Sequence, residues 1–293
     1  MSENPVERAI LIYEGINRKK VFSIKPLGGG TANDVFLVNL EDVIRLNKPN
    51  KVDSSYYSAK REYEASIALL RKKETAVIPQ ILAFDTEKGD KIERYIPPYV
   101  FKEEKDASYR YYLSAIESLK CFHHISGNFA PFFPVERLFR YRELSKENIR
   151  EDYEEEVIRK AKIAFESSPV VFCHNDLHNL NLVYDKEEKR MKFLDLEMAG
   201  MNYEIFDVAS LLEENELDDN LCERLIHAYY GIDKVTSKTI EMVRDVMAFH
   251  DILWYYWAKA RYLETMQQSF LDIAKTKMAR IRSNIRKKYG NPR

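Results

Sequence analysis

The chain has 293 residues, and its 46 Lys plus Arg against 47 Asp plus Glu give a formal net charge of −1, so no large field steers it toward nucleic acid or an anionic membrane. Its 45% hydrophobic and 32% charged residues, with 19 Tyr and 15 Phe, are the composition of a globular protein with material for one or two cores, which excludes a disordered chain or a disulfide-stapled miniprotein. Cys121, Cys173 and Cys222 are too widely spaced for a disulfide framework or a zinc site, and a reducing cytoplasm is the expected compartment. No basic-then-apolar leader and no uncharged stretch of about 20 residues occurs, so neither secretion nor a membrane span is expected.

Apolar residues at Val6, Ile10, Ile12 and Ile16 predict a helix ending near Asn17. From Val21 the pattern turns to short strands, Phe22–Ile24, Asp34–Val38 and Asp42–Leu46, the first two separated by Leu27-Gly-Gly-Gly-Thr-Ala-Asn33. Ala59, Tyr63, Ile67 and Leu70 then predict an amphipathic helix within 58–73. Ile78–Phe84 and Lys91–Ile96 predict a hairpin turning at Lys88-Gly89-Asp90, which closes an antiparallel sheet before Pro97-Pro98. Beyond those prolines, helices are predicted over 106–124, 148–167, 217–230 and 237–289, the last with breaks that the sequence does not place. A β-rich island, 170–174, 181–184 and 191–195, interrupts them. The expected class is α+β, with a small antiparallel β-sheet lobe over 1–97 and a larger, mainly helical lobe over 98–293.

The island carries the densest polar cluster, His174-Asn-Asp176-Leu-His178-Asn-Leu-Asn181, followed by Asp195 at the end of the next strand. This is the spacing of a kinase catalytic loop, His-x-Asp with four residues before an Asn and then a separate Asp. An Asp held in a loop can orient an attacking hydroxyl and accept its proton, while an amide oxygen and a second carboxylate bind the magnesium that screens a triphosphate. The bland alternative is a polar turn with a strand-ending cap. Gly28 to Asn33 can bring backbone N–H groups to phosphates or serve as a flexible turn. Arg45 lies in an apolar strand, where an unpaired charge is expensive, so it is expected to reach phosphates and a carboxylate of the following helix, Glu62 first and Glu64 second.

Trp254 and Trp257 share one side of a helix by their spacing of three. Their faces suit a quaternary ammonium, which has no N–H to donate. Equally, they can fill a core. The acidic run Glu213-Glu-Asn-Glu216 with Asp218-Asp219 reads as a solvated helix end or as the lining of a cation site. The basic residues of 275–293 read as the solvated face of a terminal helix, His123-His124 as a packed or capping pair, and Cys173 as buried and inert.

Taken together, His174-x-Asp176 to Asn181, Leu194-Asp195-Leu-Glu197, Asn202-Tyr-Glu-Ile-Phe-Asp207-Val-Ala and Glu213-Glu214 resemble the choline/ethanolamine kinase family, in particular its bacterial choline kinases. More broadly they resemble the aminoglycoside phosphotransferase-like superfamily with its protein-kinase-like two-lobe fold. The similarity runs from Leu27 to about Arg261, and its second half is the more specific. It implies ATP- and Mg2+-dependent phosphorylation of the choline hydroxyl, with Asp176 as catalytic base and Asn181 and Asp195 as magnesium ligands. It places Gly29, Gly30, Thr31, Asn33 and Arg45, with Glu62, at the nucleotide phosphates, and Glu93, Tyr95 and Ile96 at the adenine. It places Asp176, His178, Glu197, Glu214, Trp254 and Trp257 at the amino alcohol, with Glu214 nearest its ammonium. Glu197, Asp207 and Glu214 match acidic positions of the family signature, some structural and some facing substrate. Two departures stand out: Leu180 precedes Asn181 where the family has a small residue or Gly, and the glycine loop is one residue longer. The expected partners are ATP and a small-molecule substrate, with no nucleic acid. A kinase of another small alcohol (ethanolamine, an aminoglycoside, a sugar or thiamine) and a non-catalytic nucleotide-binding relative stay open as alternatives. Trp254 and Trp257 weigh against the first, and the intact Asp176, Asn181 and Asp195 against the second.

Overall fold

The computed structural model describes residues 4–28, 33–48, 52–71, 76–99, 101 and 106–289. In chain order the elements are α1 (Pro5–Asn17), β1 (Ile24–Pro26), β2 (Asp34–Val38), β3 (Asp42–Leu46), α2 (Ala59–Leu70), β4 (Ile81–Phe84), β5 (Lys91–Arg94), α3 (Ala107–His123), α4 (Pro134–Ser145) and α5 (Glu151–Glu166). They continue with β6 (Val170–Cys173), β7 (Leu182–Asp185), β8 (Arg190–Phe193), β9 (Gly200–Tyr203), α6 (Glu204–Glu213), α7 (Asp219–Tyr230), α8 (Ser237–Thr265) and α9 (Gln268–Tyr289). The chain forms two compact units, residues 1–129 with 180–199, and residues 130–179 with 200–293. Among the described residues no helix is long and apolar enough to cross a membrane.

In the first unit five antiparallel strands lie in the order β1-β2-β3-β5-β4. Side chains alternate along each strand, so Phe36, Val38, Ile44, Leu46 and Ile92 share one face and pack on Ala9 and Tyr13 of α1. Asn4 starts α1 by accepting the Val6 N–H, with Pro5 at the first helical position. The Tyr13 hydroxyl donates to Asp42 at 2.7 Å, tying α1 to β3. The opposite face carries Arg45, Lys91 and Glu93. At the β4–β5 turn Gly89 has φ 83°, and a Cβ there would strike the Tyr57 hydroxyl, so only glycine fits.

The texture change at Pro97-Pro98 falls inside this unit. Phe193 N–H donates to the Val77 carbonyl at 2.7 Å, Met191 N–H donates to Ser114 Oγ at 3.1 Å, and the Phe122 and Phe193 rings meet at 5.7 Å. These contacts bind the β7–β8 hairpin and α3 into the unit that holds the sheet, although both lie beyond residue 97.

In the second unit α8 is the central helix and packs on α4, α5, α6 and α9. It opens on a capping box between Thr236 and Thr239. β6 pairs with β9, and Gly200 sits where a Cβ would press at 2.6 Å on the Ala130 carbonyl. Two helices were not expected from the sequence. The first, α4, carries a start signal in Pro134 at its first position. The second, α6, is buried on every side from Ile205 to Leu212, its polar residues Asp207 and Ser210 included, so the polar-outside pattern of a surface helix does not describe it. The break unplaced within 237–289 falls at Met266, in the left-handed region at φ 56°. No Gly or Pro marks it.

Candidate active site

In the first unit, register sets Arg45 and Lys91 opposite each other on β3 and β5, on the face away from α1. The buried Arg45 guanidinium donates to Glu62 at 2.7 Å, to Asp195 at 2.8 Å and to the Gly89 carbonyl at 3.1 Å, and reaches Glu197 at 3.5 Å. Lys91 Nζ lies 3.1 Å from Glu93 and 3.6 Å from Glu62. The Tyr57 hydroxyl donates to Glu62 at 3.1 Å. Asn33 donates to Glu197 and accepts the Lys48 N–H at 3.2 Å. Four carboxylates thus surround two cations. Burial works against the charge on Arg45, but Glu62, Asp195 and Glu197 outweigh it and hold the guanidinium well above its ordinary value. Burial, then the neighbouring Asp195, push Glu197 up to about 8 against the pull of Arg45. Lys91 was not singled out from the sequence; the signal was a charge at an inward position of an alternating strand.

The β7–β8 hairpin brings Asn181 and Asp195 to the same end. Leu182 pairs with Phe193, and the Asn181 carbonyl accepts the Leu194 N–H at 2.9 Å. Asp195 adopts φ 56°, a conformation Asp tolerates, which ends the strand where its carboxylate meets Arg45. An amide and a carboxylate, beside a cluster with acids in excess, are an all-oxygen donor set that fits a hard divalent cation such as magnesium. Leu180 is accommodated with its side chain half outside, at 53% exposure.

Glu93 faces Lys91, and its backbone lies between β3 and β4. Tyr95 N–H donates to the Glu41 carbonyl at 2.9 Å, and both Tyr95 and Ile96 are half-buried after β5. Gly29, Gly30 and Thr31 lie outside the described residues.

In the second unit the loop after β6 is held from below by α6. The fully buried Asp207 accepts the backbone N–H groups of His174 and Asn175, both at 2.7 Å. Leu177 N–H donates to Ser210 Oγ at 3.1 Å, and Asn202 donates to Asn175 Oδ1 at 2.7 Å. Asn175 takes φ 69°, and Asp176 N–H donates to His174 Nδ1 at 3.3 Å. The Asp176 carboxylate stays partly exposed, 3.6 Å from His178 Nε2. Asp207 is therefore the clamp that shapes the loop. Asp207→Asn replaces one acceptor oxygen with an NH2 group facing a buried N–H donor, at an expected cost of about 1–3 kcal/mol. Chemical denaturation measures it; parental stability would remove the clamp.

Trp254 is buried on α8, and its indole N–H donates to His250 Nδ1 at 3.1 Å. The other His250 nitrogen, Nε2, therefore carries the proton and donates to the Phe206 carbonyl at 3.1 Å. Trp257 is half-buried and stands at 89° to Trp254 with centroids 5.7 Å apart, while Phe270 flanks it at 5.5 Å. Tyr256 turns away to donate to Glu154 at 2.8 Å, and Tyr255 reaches toward Glu147. Glu214, expected beside a substrate ammonium, accepts instead from Lys277 Nζ at 2.6 Å.

Burial pushes His250 down from 6.5 to about 4, against the nearby Glu214 carboxylate, so the imidazole is neutral in the fold. As pH falls below about 6.5 the unfolded chain takes up a proton that the folded chain refuses, and stability is lost progressively, by about 3 kcal/mol near pH 4. His250→Gln keeps an acceptor for Trp254 without that titration. Denaturation at pH 7 and pH 4.5 should show a smaller acid loss for the variant; equal losses would refute this.

Comparison with known proteins yields a consistent family. The model of the phosphotransferase enzyme family matches residues 23–237. Protein LicA of Haemophilus influenzae is 27% identical over 263 residues, covering 84% of this chain and 75% of that protein. Ethanolamine kinase 2 of Homo sapiens is 33% identical over 135 residues, 40% of this chain and only 34% of that protein. The crystal structure of choline kinase LicA from Streptococcus pneumoniae superposes with a TM-score of 0.69 at 20% identity, over 94% of this chain and 98% of that one.

Proposed function

The chain belongs to the phosphotransferase enzyme family, and on that premise we propose that it transfers the γ-phosphoryl group of ATP to the hydroxyl of choline, giving phosphocholine and ADP. The observation that carries the reading is the joining of Arg45 to both Glu62 and Asp195, with Asn181 at the Asp195 end of the hairpin. That arrangement sets a fixed cation beside oxygen ligands, which phosphoryl transfer needs. Arg45 holds phosphate oxygens, and the strand end at Glu93, Tyr95 and Ile96 takes the adenine. Asp176 accepts the proton of the choline hydroxyl as its oxygen bonds to the γ-phosphorus and the bond to the ADP oxygen breaks. When bound by Asn181 and Asp195, magnesium screens the triphosphate charge. Trp254 and Trp257, at right angles, offer ring faces to the trimethylammonium. The reaction belongs in the cytoplasm, where ATP is available and thiols stay reduced.

Ethanolamine is the second reading, favoured by the 33% identity to human ethanolamine kinase 2. A coupled ADP-release assay over choline, ethanolamine, an aminoglycoside, a sugar and thiamine separates the candidates; no turnover of choline would refute the leading one. Trp254→Leu and Trp257→Leu remove an aromatic face and keep part of the apolar packing, and the first also removes the N–H donor to His250. Choline affinity should fall roughly three- to thirtyfold, from about 0.5–2 kcal/mol per ring, with ATP affinity nearly unchanged. Variants that melt several degrees lower but keep the parental ratio of choline to ethanolamine would make the pair core residues.

A further inference from the structure

α9 lays two cations along the acidic end of α6. Lys277, almost wholly buried, lies 2.6 Å from Glu214 and 3.6 Å from Asp251. One turn on, Arg280 pairs with Glu213, reaches Glu216 at 2.7 Å and lies 3.5 Å from Asp251. Each acid of this face already meets a basic side chain of the protein. The group shares the two helices that carry the tryptophan pair and its flanking ring: Asp251 precedes Trp254 by one turn on α8, and on α9, which carries Lys277, the Phe270 ring stands 5.5 Å from Trp257.

A primary ammonium is held best by acceptors for its three N–H groups. A quaternary ammonium has none and is held by aromatic faces. Building on the amino-alcohol reading above, we propose that Lys277 determines specificity: its own ammonium occupies Glu214 and Asp251, leaving ring faces to recognise the substrate and selecting quaternary over primary ammonium. Removing this lysine frees acceptors that a primary amine can use and a quaternary one cannot.

The test measures kcat/KM, and the melting shift each amino alcohol induces, for ethanolamine, its N-methyl and N,N-dimethyl forms and choline. It uses the intact protein and Lys277→Met, Lys277→Gln and Lys277→Arg. Efficiency in the parent should rise with methylation, by about tenfold or more across the series. The Met and Gln variants should lower the ratio of choline to ethanolamine by about fivefold or more through gains on ethanolamine, and Arg should keep it. A flat parental series overturns the proposal, as does a folded Met or Gln variant with the parental ratio. If neither neutral variant folds, the parental series and the Arg variant decide: a rising series with the ratio kept by Arg supports it, and a changed ratio in Arg counts against it. Absence of transfer to every member refutes the amino-alcohol reading itself, a result distinct from transfer without selectivity.

Discussion

Asp176→Asn should lower turnover by on the order of 10²–10⁴ and leave nucleotide affinity near the parental value, because an amide can accept a hydrogen bond but cannot take a proton at neutral pH. The loop geometry should survive the change. Its clamps are backbone N–H groups held by Asp207 and Ser210 and the Asn202–Asn175 side-chain pair, none of which uses the Asp176 carboxylate. Turnover and nucleotide titration on the same preparation separate a lost base from a lost fold. Activity within tenfold of the parent would take Asp176 out of the role.

The second large effect is expected at Arg45. Arg45→Met leaves Glu62, Asp195 and Glu197 without their shared guanidinium, and Glu62 is only 1% exposed at its side chain. Removing one partner of a buried ion pair costs about 3–5 kcal/mol, far more than the pair contributes net. Nucleotide affinity should fall as well, since the carboxylates then repel phosphate. Arg45→Lys should recover only part of both losses, because a single ammonium cannot reach Glu62, Asp195 and the Gly89 carbonyl together. Denaturation and nucleotide titration of the two variants measure this, and parental behaviour of the Met variant would contradict it.

Much of this arrangement was legible in the sequence where the determining interaction is local or has few solutions. His174, Asp176 and Asn181 sit on one loop, and Asp195 returns beside Asn181 through a short hairpin, so spacing alone brings Asn181 and Asp195 together. Arg45 in an apolar strand required a carboxylate, and the helix that follows offered Glu62. Lys91 was hidden because its place beside Arg45 depends on β5 inserting between β3 and β4, a strand order that periodicity does not encode. The pairing of Glu214 with Lys277 spans 63 residues and depends on how α9 lies against α6. Without that contact Glu214 read as part of a solvated helix end or as the lining of a cation site. α6 was missed because its polar residues Asp207 and Ser210 are buried together with its apolar ones, so no solvent-facing side marks it, and the α8–α9 break because Met266 adopts a left-handed turn that its residue type does not announce.

The most direct measurement is 31P NMR of the protein incubated with ATP, magnesium and choline. A phosphomonoester resonance of phosphocholine rising in step with ADP is the expected result. ADP accompanied only by inorganic phosphate, or no consumption of ATP at all, would contradict transfer to the amino alcohol.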